Sequence, residues 1–131
     1  MADLEASLRA LQTDSIDLYM LHRDDESGDA GGIVGILDQQ VRAGKIKAYG
    51  ASNWSHQRLA AGLAHAGHQR LHAFAAGSPQ FSLAEPFAIP WVGCLSIGGA
   101  AQLEAREWYA ATRLPVIVWL SLAGGFFSGR F

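Results

Sequence analysis

The strongest constraint on this chain is a repeated switch of hydrophobic period. Stretches with apolar residues three or four apart alternate with short apolar runs, and each unit takes about 30 residues, the size of a βαβ element. Asp3 can cap a first helix carrying Leu4, Leu8 and Leu11 on one face. "SIDLYML" (15–21) then reads as a buried strand, apolar apart from Ser15 and Asp17. Gly31-Gly32 separates it from a second helical pattern with Ile33, Leu37 and Val41, which Gly44 is placed to end in the left-handed conformation glycine tolerates.

"IKAYGA" (46–51) is the second strand, and Ser52, Asn53 and Ser55 offer caps for a third helix that holds Leu59 and Leu63 and ends near Gly67. "LHAFAA" (71–76) is a third strand candidate, weak because alanine is a poor strand former. Gly77 to Gly99 holds three of the four prolines and four of the fifteen glycines, which marks a long functional loop. "AAQLEAREWYAAT" (100–112) is helical, and "PVIVWL" (115–120) reads as a β-branched strand of the fully buried type. The order α-β-α-β-α-β-loop-α-β calls for an α/β fold in one domain over residues 1–131, with about four parallel strands.

Composition narrows the function classes. Half the residues are hydrophobic and 17% are charged, so the chain is globular rather than disordered. A formal net charge of -2 gives no footprint for nucleic acid, and no basic run suits a membrane surface. "MADLEASLRA" lacks the basic-then-apolar order of a signal peptide, and the apolar runs are too short to span a bilayer. Cys94 is the single cysteine, which excludes an internal disulfide and a cysteine-based zinc site and suits the cytoplasm.

In a parallel α/β sheet the C-terminal strand ends share one face, where ligands bind. His22 ends the first strand and Ser52-Asn53 the second; Ser78 to Gln80 follow the third, and Trp119 ends the fourth. An imidazole, an amide, hydroxyls and a flat aromatic surface suit a planar polar heterocycle beside a carbonyl. Each residue also has a simpler role. His22 can bond backbone, Ser52 and Asn53 can cap a helix, Trp119 can be core, and "LAGGFFSG" can be a glycine turn without Rossmann or P-loop spacing. His65, His68 and His72 invite a metal reading, and His65 and His68 have helical spacing, but Gly67 is placed to end the helix and no carboxylate is fixed nearby. Solvated histidines and no metal are expected there. Arg23 with Asp24, Asp25 and Glu26 reads as a solvated loop, and Glu104 and Glu107 as an exposed helix face.

Three ordered stretches carry a family resemblance. "SLRALQTDSIDLYMLHRDD", "LDQQVRAGKIKAYGASNWS" and "PVIVWLSLAGGFFSGRF" resemble successive segments of the aldo-keto reductases, from about Leu4 to Phe131 with a weaker match between Gly67 and Ala111. "SNWS", "SPQFSLAEP" and "AREWYA" are similar to such modules in bacterial multidomain oxidoreductases. The resemblance implies a (β/α)8 TIM barrel that binds NADPH, with NADH the alternative, across its C-terminal rim and reduces an aldehyde or ketone to an alcohol. It gives His22 the role of orienting or polarising the substrate carbonyl, and Ser52 and Asn53 hydrogen bonds to the nicotinamide carboxamide. Trp119 matches an aromatic that stacks on the nicotinamide ring, while Leu122, Ala123, Gly124 and Gly125 match the loop near the pyrophosphate.

The pattern departs where the family has an Asn-Gln pair: here Gly77-Ser78 aligns, with Gln80 two residues on, and Leu120 stands where a polar contact is common. The resemblance covers strands four to seven. The family's catalytic Tyr, Lys and Asp belong to its first three strands, and Tyr19, Tyr49 and Tyr109 do not match that tyrosine's motif. The expectation is therefore a truncated or internal piece of a partial barrel, inactive alone, that self-associates or pairs with a missing half. A non-catalytic half-barrel for nucleotide binding or assembly is the alternative.

Overall fold

The computed structural model describes residues 2–85 and 91–129. Helices α1 (Ala2–Leu11), α2 (Ala30–Arg42) and α3 (His56–Gln69) alternate with strands β1 (Ile16–Leu21), β2 (Ile46–Ser52) and β3 (Ala76–Ser78), and α4 (Leu103–Thr112) follows a 3-10 turn at Ala100–Gln102. The strands form one parallel sheet in the order β1-β2-β3, which is not closed into a barrel. The α/β class and the partial-barrel character agree with the sequence reading.

Local chemistry explains where the boundaries differ from that reading. Asp3 lies inside the first turn of α1 rather than at a cap, and Leu11 is exposed while Leu4 and Leu8 are buried. Gly31 and Gly32 do not separate elements. They form the first turn of α2, because the Asp29 carboxylate caps that helix by accepting the Gly32 N–H at 2.7 Å. Gly44, at φ 74, follows α2 as expected. Helix α3 is capped by Ser55 and runs through Gly67 to a left-handed cap at Arg70, so Gly67 does not end it.

The third strand begins at Ala76 and not Leu71. The Tyr49 carbonyl accepts the Ala75 N–H at 2.8 Å, and the ladder then pairs Gly50 with Ala76 and Ser52 with Ser78. Residues 115–119 run parallel beyond β3 but join it through isolated bridges, Gly77 to Val116 and Gln80 to Trp119. This segment is the expected fourth strand in direction and neighbour. It is not buried: Val116, Ile117 and Val118 are 38%, 48% and 38% exposed.

The core lies between the sheet and helices α2 and α3. Tyr49, Trp54, Leu59 and Val34 are buried around Phe74, whose ring meets Tyr49 and Trp54 edge-on at 5.3 Å each. Gly62 allows α3 to approach this cluster, since a Cβ there would stand 2.6 Å from the Phe74 ring. Burying these aromatic side chains fixes the sheet under α3, and that in turn fixes the strand ends.

Candidate functional site at the C-terminal strand ends

Parallel register sets the ends of the strands side by side, with Leu21 opposite Ala51 and Ser52 opposite Ser78. Asn53 turns the chain out of β2 at φ 58, a left-handed conformation that asparagine adopts more readily than most residues. Its carboxamide then reaches three neighbours. Nδ2 donates to the His22 carbonyl and to Ser52 Oγ, each at 3.2 Å, and Oδ1 accepts the Leu95 N–H at 3.1 Å. Ser52 Oγ donates to the Ser78 carbonyl at 2.8 Å. That carbonyl also accepts the Asn53 N–H at 3.2 Å and the Trp119 indole N–H at 3.3 Å. One amide, one hydroxyl and one carbonyl thus join five segments of the chain, at His22, Ser52-Asn53, Ser78, Leu95 and Trp119.

A hydrogen-bond count limits what this network can still offer a ligand. Both Asn53 Nδ2 protons and the Ser52 hydroxyl proton are engaged, while each side-chain oxygen keeps one lone pair. Toward a ligand, Ser52 and Asn53 are acceptors and fit an N–H donor. The Trp119 ring lies parallel to Trp91, with centroids 5.1 Å apart and planes at 17°, so one of its faces is already covered.

The remaining sequence candidates lie differently. His22 is exposed and joins this network through its backbone carbonyl, whereas Gln80 is 1% exposed. Gln80 Oε1 accepts the Ser96 hydroxyl at 2.5 Å and Nε2 donates to Ser82 Oγ at 3.4 Å, which turns the side chain into its own loop. Leu122, Ala123, Gly124 and Gly125 form tight turns closed by their own backbone, Ala123 N–H to the Leu120 carbonyl and Gly125 N–H to that of Leu122. Gly124 and Gly125 take φ 66 and 104 there, which explains the glycine pair. The long loop expected between Gly77 and Gly99 doubles back, Gln80 pairing with Ser96; its Pro86 to Pro90 stretch lies outside the described residues.

The run after His22 is exposed at Arg23, Asp25 and Glu26, as its charges suggest, but Asp24 is drawn in. Asp24 accepts two hydrogen bonds from Arg58, Nε to Oδ2 at 2.9 Å and Nη2 to Oδ1 at 2.8 Å, and its side chain is 8% exposed. Arg23 Nη1 donates to the Val92 carbonyl at 2.5 Å. Nothing in the spacing of Asp24 and Arg58, 34 residues apart, marks them as partners. A cavity of about 200 Å³ lies off this network, between the start of α3 and α4; Leu95, Gln102 and the His56–Glu104 pair line it.

The histidines also have specific surroundings. The Asp38 carboxylate, on α2, accepts the His72 N–H and meets His72 Nδ1 at 2.7 Å, so a carboxylate is fixed beside this histidine after all. The Gly31 backbone lies against the His65 ring. Among the described residues no three His, Cys, Asp or Glu side chains are arranged to hold a metal ion.

The aldo/keto reductase family model matches residues 1–131, the whole chain. The chain belongs to the aldo/keto reductase family. It is 31% identical over 127 residues to the uncharacterized oxidoreductase YrpG of Bacillus subtilis, an alignment covering 97% of this chain and 35% of that protein. It is also 47% identical over 51 residues to a 6-dehydroglucose reductase of Agrobacterium fabrum, which covers 39% of this chain and 17% of the relative. In fold it is similar to a crystal structure provisionally described as 2,5-diketo-D-gluconic acid reductase B. The TM-score is 0.72 at 18% identity, covering 95% of this chain and 37% of the other. The chain thus spans about a third of the length of the Bacillus relative and of that solved structure. No helix of the described residues is long and apolar enough to cross a membrane.

Proposed function

We propose that this family member contributes the nicotinamide-side wall and the carbonyl-orienting histidine of an NAD(P)H-dependent reductase acting on an aldehyde or ketone. The observation that carries the reading is the network joining His22, Ser52, Asn53, Ser78 and Trp119 at one end of the sheet. The unused lone pairs of Ser52 and Asn53 suit the amide protons of a nicotinamide carboxamide, and the face of Trp119 turned from Trp91 suits its ring. When bound, the reduced nicotinamide supplies the hydride. His22 is exposed where its imidazole can donate a hydrogen bond to the substrate oxygen and polarise the carbonyl. NADPH as the cofactor, with NADH the alternative, and a small-molecule carbonyl as the partner rest on the family resemblance alone.

One observation favours the alternative for this chain by itself, a non-catalytic nucleotide-binding or assembly half. The three tyrosines lie within strands or a helix, and burial disfavours them as proton donors to a substrate. Burial pushes Tyr49 and Tyr109 up to about 12, and Tyr49 donates its hydroxyl proton to the His72 carbonyl ahead of β3, away from the strand ends. Burial raises Tyr19 as well, and it lies within β1.

Tryptophan fluorescence titrated with NADPH tests the cofactor reading. Quenching is expected, and Asn53→Ala should weaken binding by about 1 to 3 kcal/mol, the cost of an unmade buried hydrogen bond. An unchanged dissociation constant would leave Asn53 as a clamp between strand ends and nothing more. NADPH consumption with a range of aldehydes should be undetectable for this chain, and measurable turnover would overturn the assembly alternative.

A further inference from the structure

Helix α3 carries a guanidinium that reaches back across the sheet to the turn after β1. Arg58 makes the two bonds to Asp24, donates through Nη1 to the Gly28 carbonyl at 2.8 Å and through Nη2 to that of Asp25 at 3.1 Å. Its side chain is 20% exposed, and the guanidinium carbon lies 4.8 Å from the Trp54 ring centroid. Trp54 is buried and adjoins Asn53, the residue that binds the His22 carbonyl. The His22 turn is therefore held at two points, its start by Asn53 and its later peptides by Arg58.

We propose that Arg58 is a positioning residue for His22: through Asp24 and the carbonyls of Asp25 and Gly28 it sets where the imidazole stands at the strand ends. The physical reason is geometric. A planar fork fixes both distance and orientation of a carboxylate, which a point charge on a flexible stem does not. The buried carboxylate of Asp24 and two backbone carbonyls converge on a single guanidinium, so the part of the turn beyond Arg23 shares one anchor and shifts against the Asn53 contact at His22 if that anchor is lost. A loop bearing an exposed, chemically used side chain needs such a rigid support.

This inference rests on the reading of His22 as the carbonyl-orienting group, and its test separates the two. In Arg58→Lys the positive charge remains but the fork, with its carbon over Trp54, is gone; Asp24→Asn keeps the shape and removes the carboxylate charge. Imidazole signals of the five histidines would be followed by NMR from about pH 5 to about pH 8, with amide exchange read alongside. Both variants should displace the His22 ring signal and raise exchange at residues 23–28 by about tenfold or more. His68, near the far end of α3, should stay in place. A His22 signal unmoved in a folded variant overturns the proposal. Should Arg58→Lys fail to fold, Asp24→Asn decides by the same criterion, and a global loss in both would assign Arg58 to general stability and also overturn it. NADPH titration of the same samples is independent: a displaced His22 without any cofactor binding would sustain the clasp and remove the proposed function.

Discussion

Asp38 illustrates how a single residue can organise one end of the sheet while its partners stay hidden from sequence inspection. It lies on the apolar stripe of α2 and is 3% exposed, yet Arg42 Nε, the His72 N–H and His72 Nδ1 all meet its carboxylate. The Arg42 hydrogen bond, then the bonds from His72, hold it well below the ordinary value of 3.8. A carboxyl whose folded value is depressed stabilises the fold above its unfolded value, and that contribution is lost as pH falls through the folded one. The melting temperature should therefore fall as pH drops below about 4, and Asp38→Asn should lower it at neutral pH while flattening part of that acid limb. Parallel melting curves for wild type and variant, scanned by circular dichroism, would check this; coincident pH profiles would show that Asp38 is not the group responsible. Arg42 could be guessed from its i,i+4 spacing, but His72 comes from the other side of α3 and is 34 residues away.

At the scale of elements, the sequence revealed types better than ends. Hydrophobic period located all four helices and the first two strands, because each buries one stripe or one run. The ends depended on contacts between elements. Gly67 reads as a stop, yet the backbone hydrogen bonds of α3 continue to a left-handed Arg70. Leu71 to Ala75 looks extended, but pairing waits until Ala76 reaches the register of Gly50. Gly62 is the opposite case, a glycine inside a helix whose reason is packing. Alanine there would gain up to about 1 kcal/mol of helix propensity. The new methyl, however, would press on the Phe74 ring and approach Val34 Cγ2 at 3.3 Å. Phe74 cannot easily yield, being set edge-on against both Tyr49 and Trp54. Overpacking of this kind costs about 1 to 3 kcal/mol, so Gly62→Ala should destabilise in urea titration. A raised midpoint would mean that the contact between α2 and α3 has slack.

The whole molecule turns on what an unclosed parallel sheet leaves open. The candidate site was legible because strand ends in such a sheet share a face, so His22, Asn53, Ser78 and Trp119 could be placed together from their order alone. The Arg58 clasp and the Trp91 ring against Trp119 were not, since both depend on long loops folding back. An unclosed sheet also leaves an outer edge. In residues 115–119 the Pro115 carbonyl, the Ile117 and Trp119 N–H groups and the Trp119 carbonyl all face β3 and its continuation. Alternation along an extended strand turns the peptide groups of Val116 and Val118 to the opposite side, where no described residue receives them. The side chains of Val116, Ile117 and Val118 are uncovered along the same edge. Unpaired backbone beside apolar side chains is a template for another strand, and native edges are usually blunted by charge or by a covering helix. Eight strands close a barrel of this class, and this sheet offers three with one bridged segment. The chain should therefore self-associate, and light scattering after size exclusion should give a mass above that of one chain. Ile117→Lys, at a half-exposed site, should shift the population toward monomer with a stability change within about 0.5 kcal/mol. A wild type that elutes as a clean monomer, or a lysine variant as associated as its parent, would show that this edge is not where the chains meet.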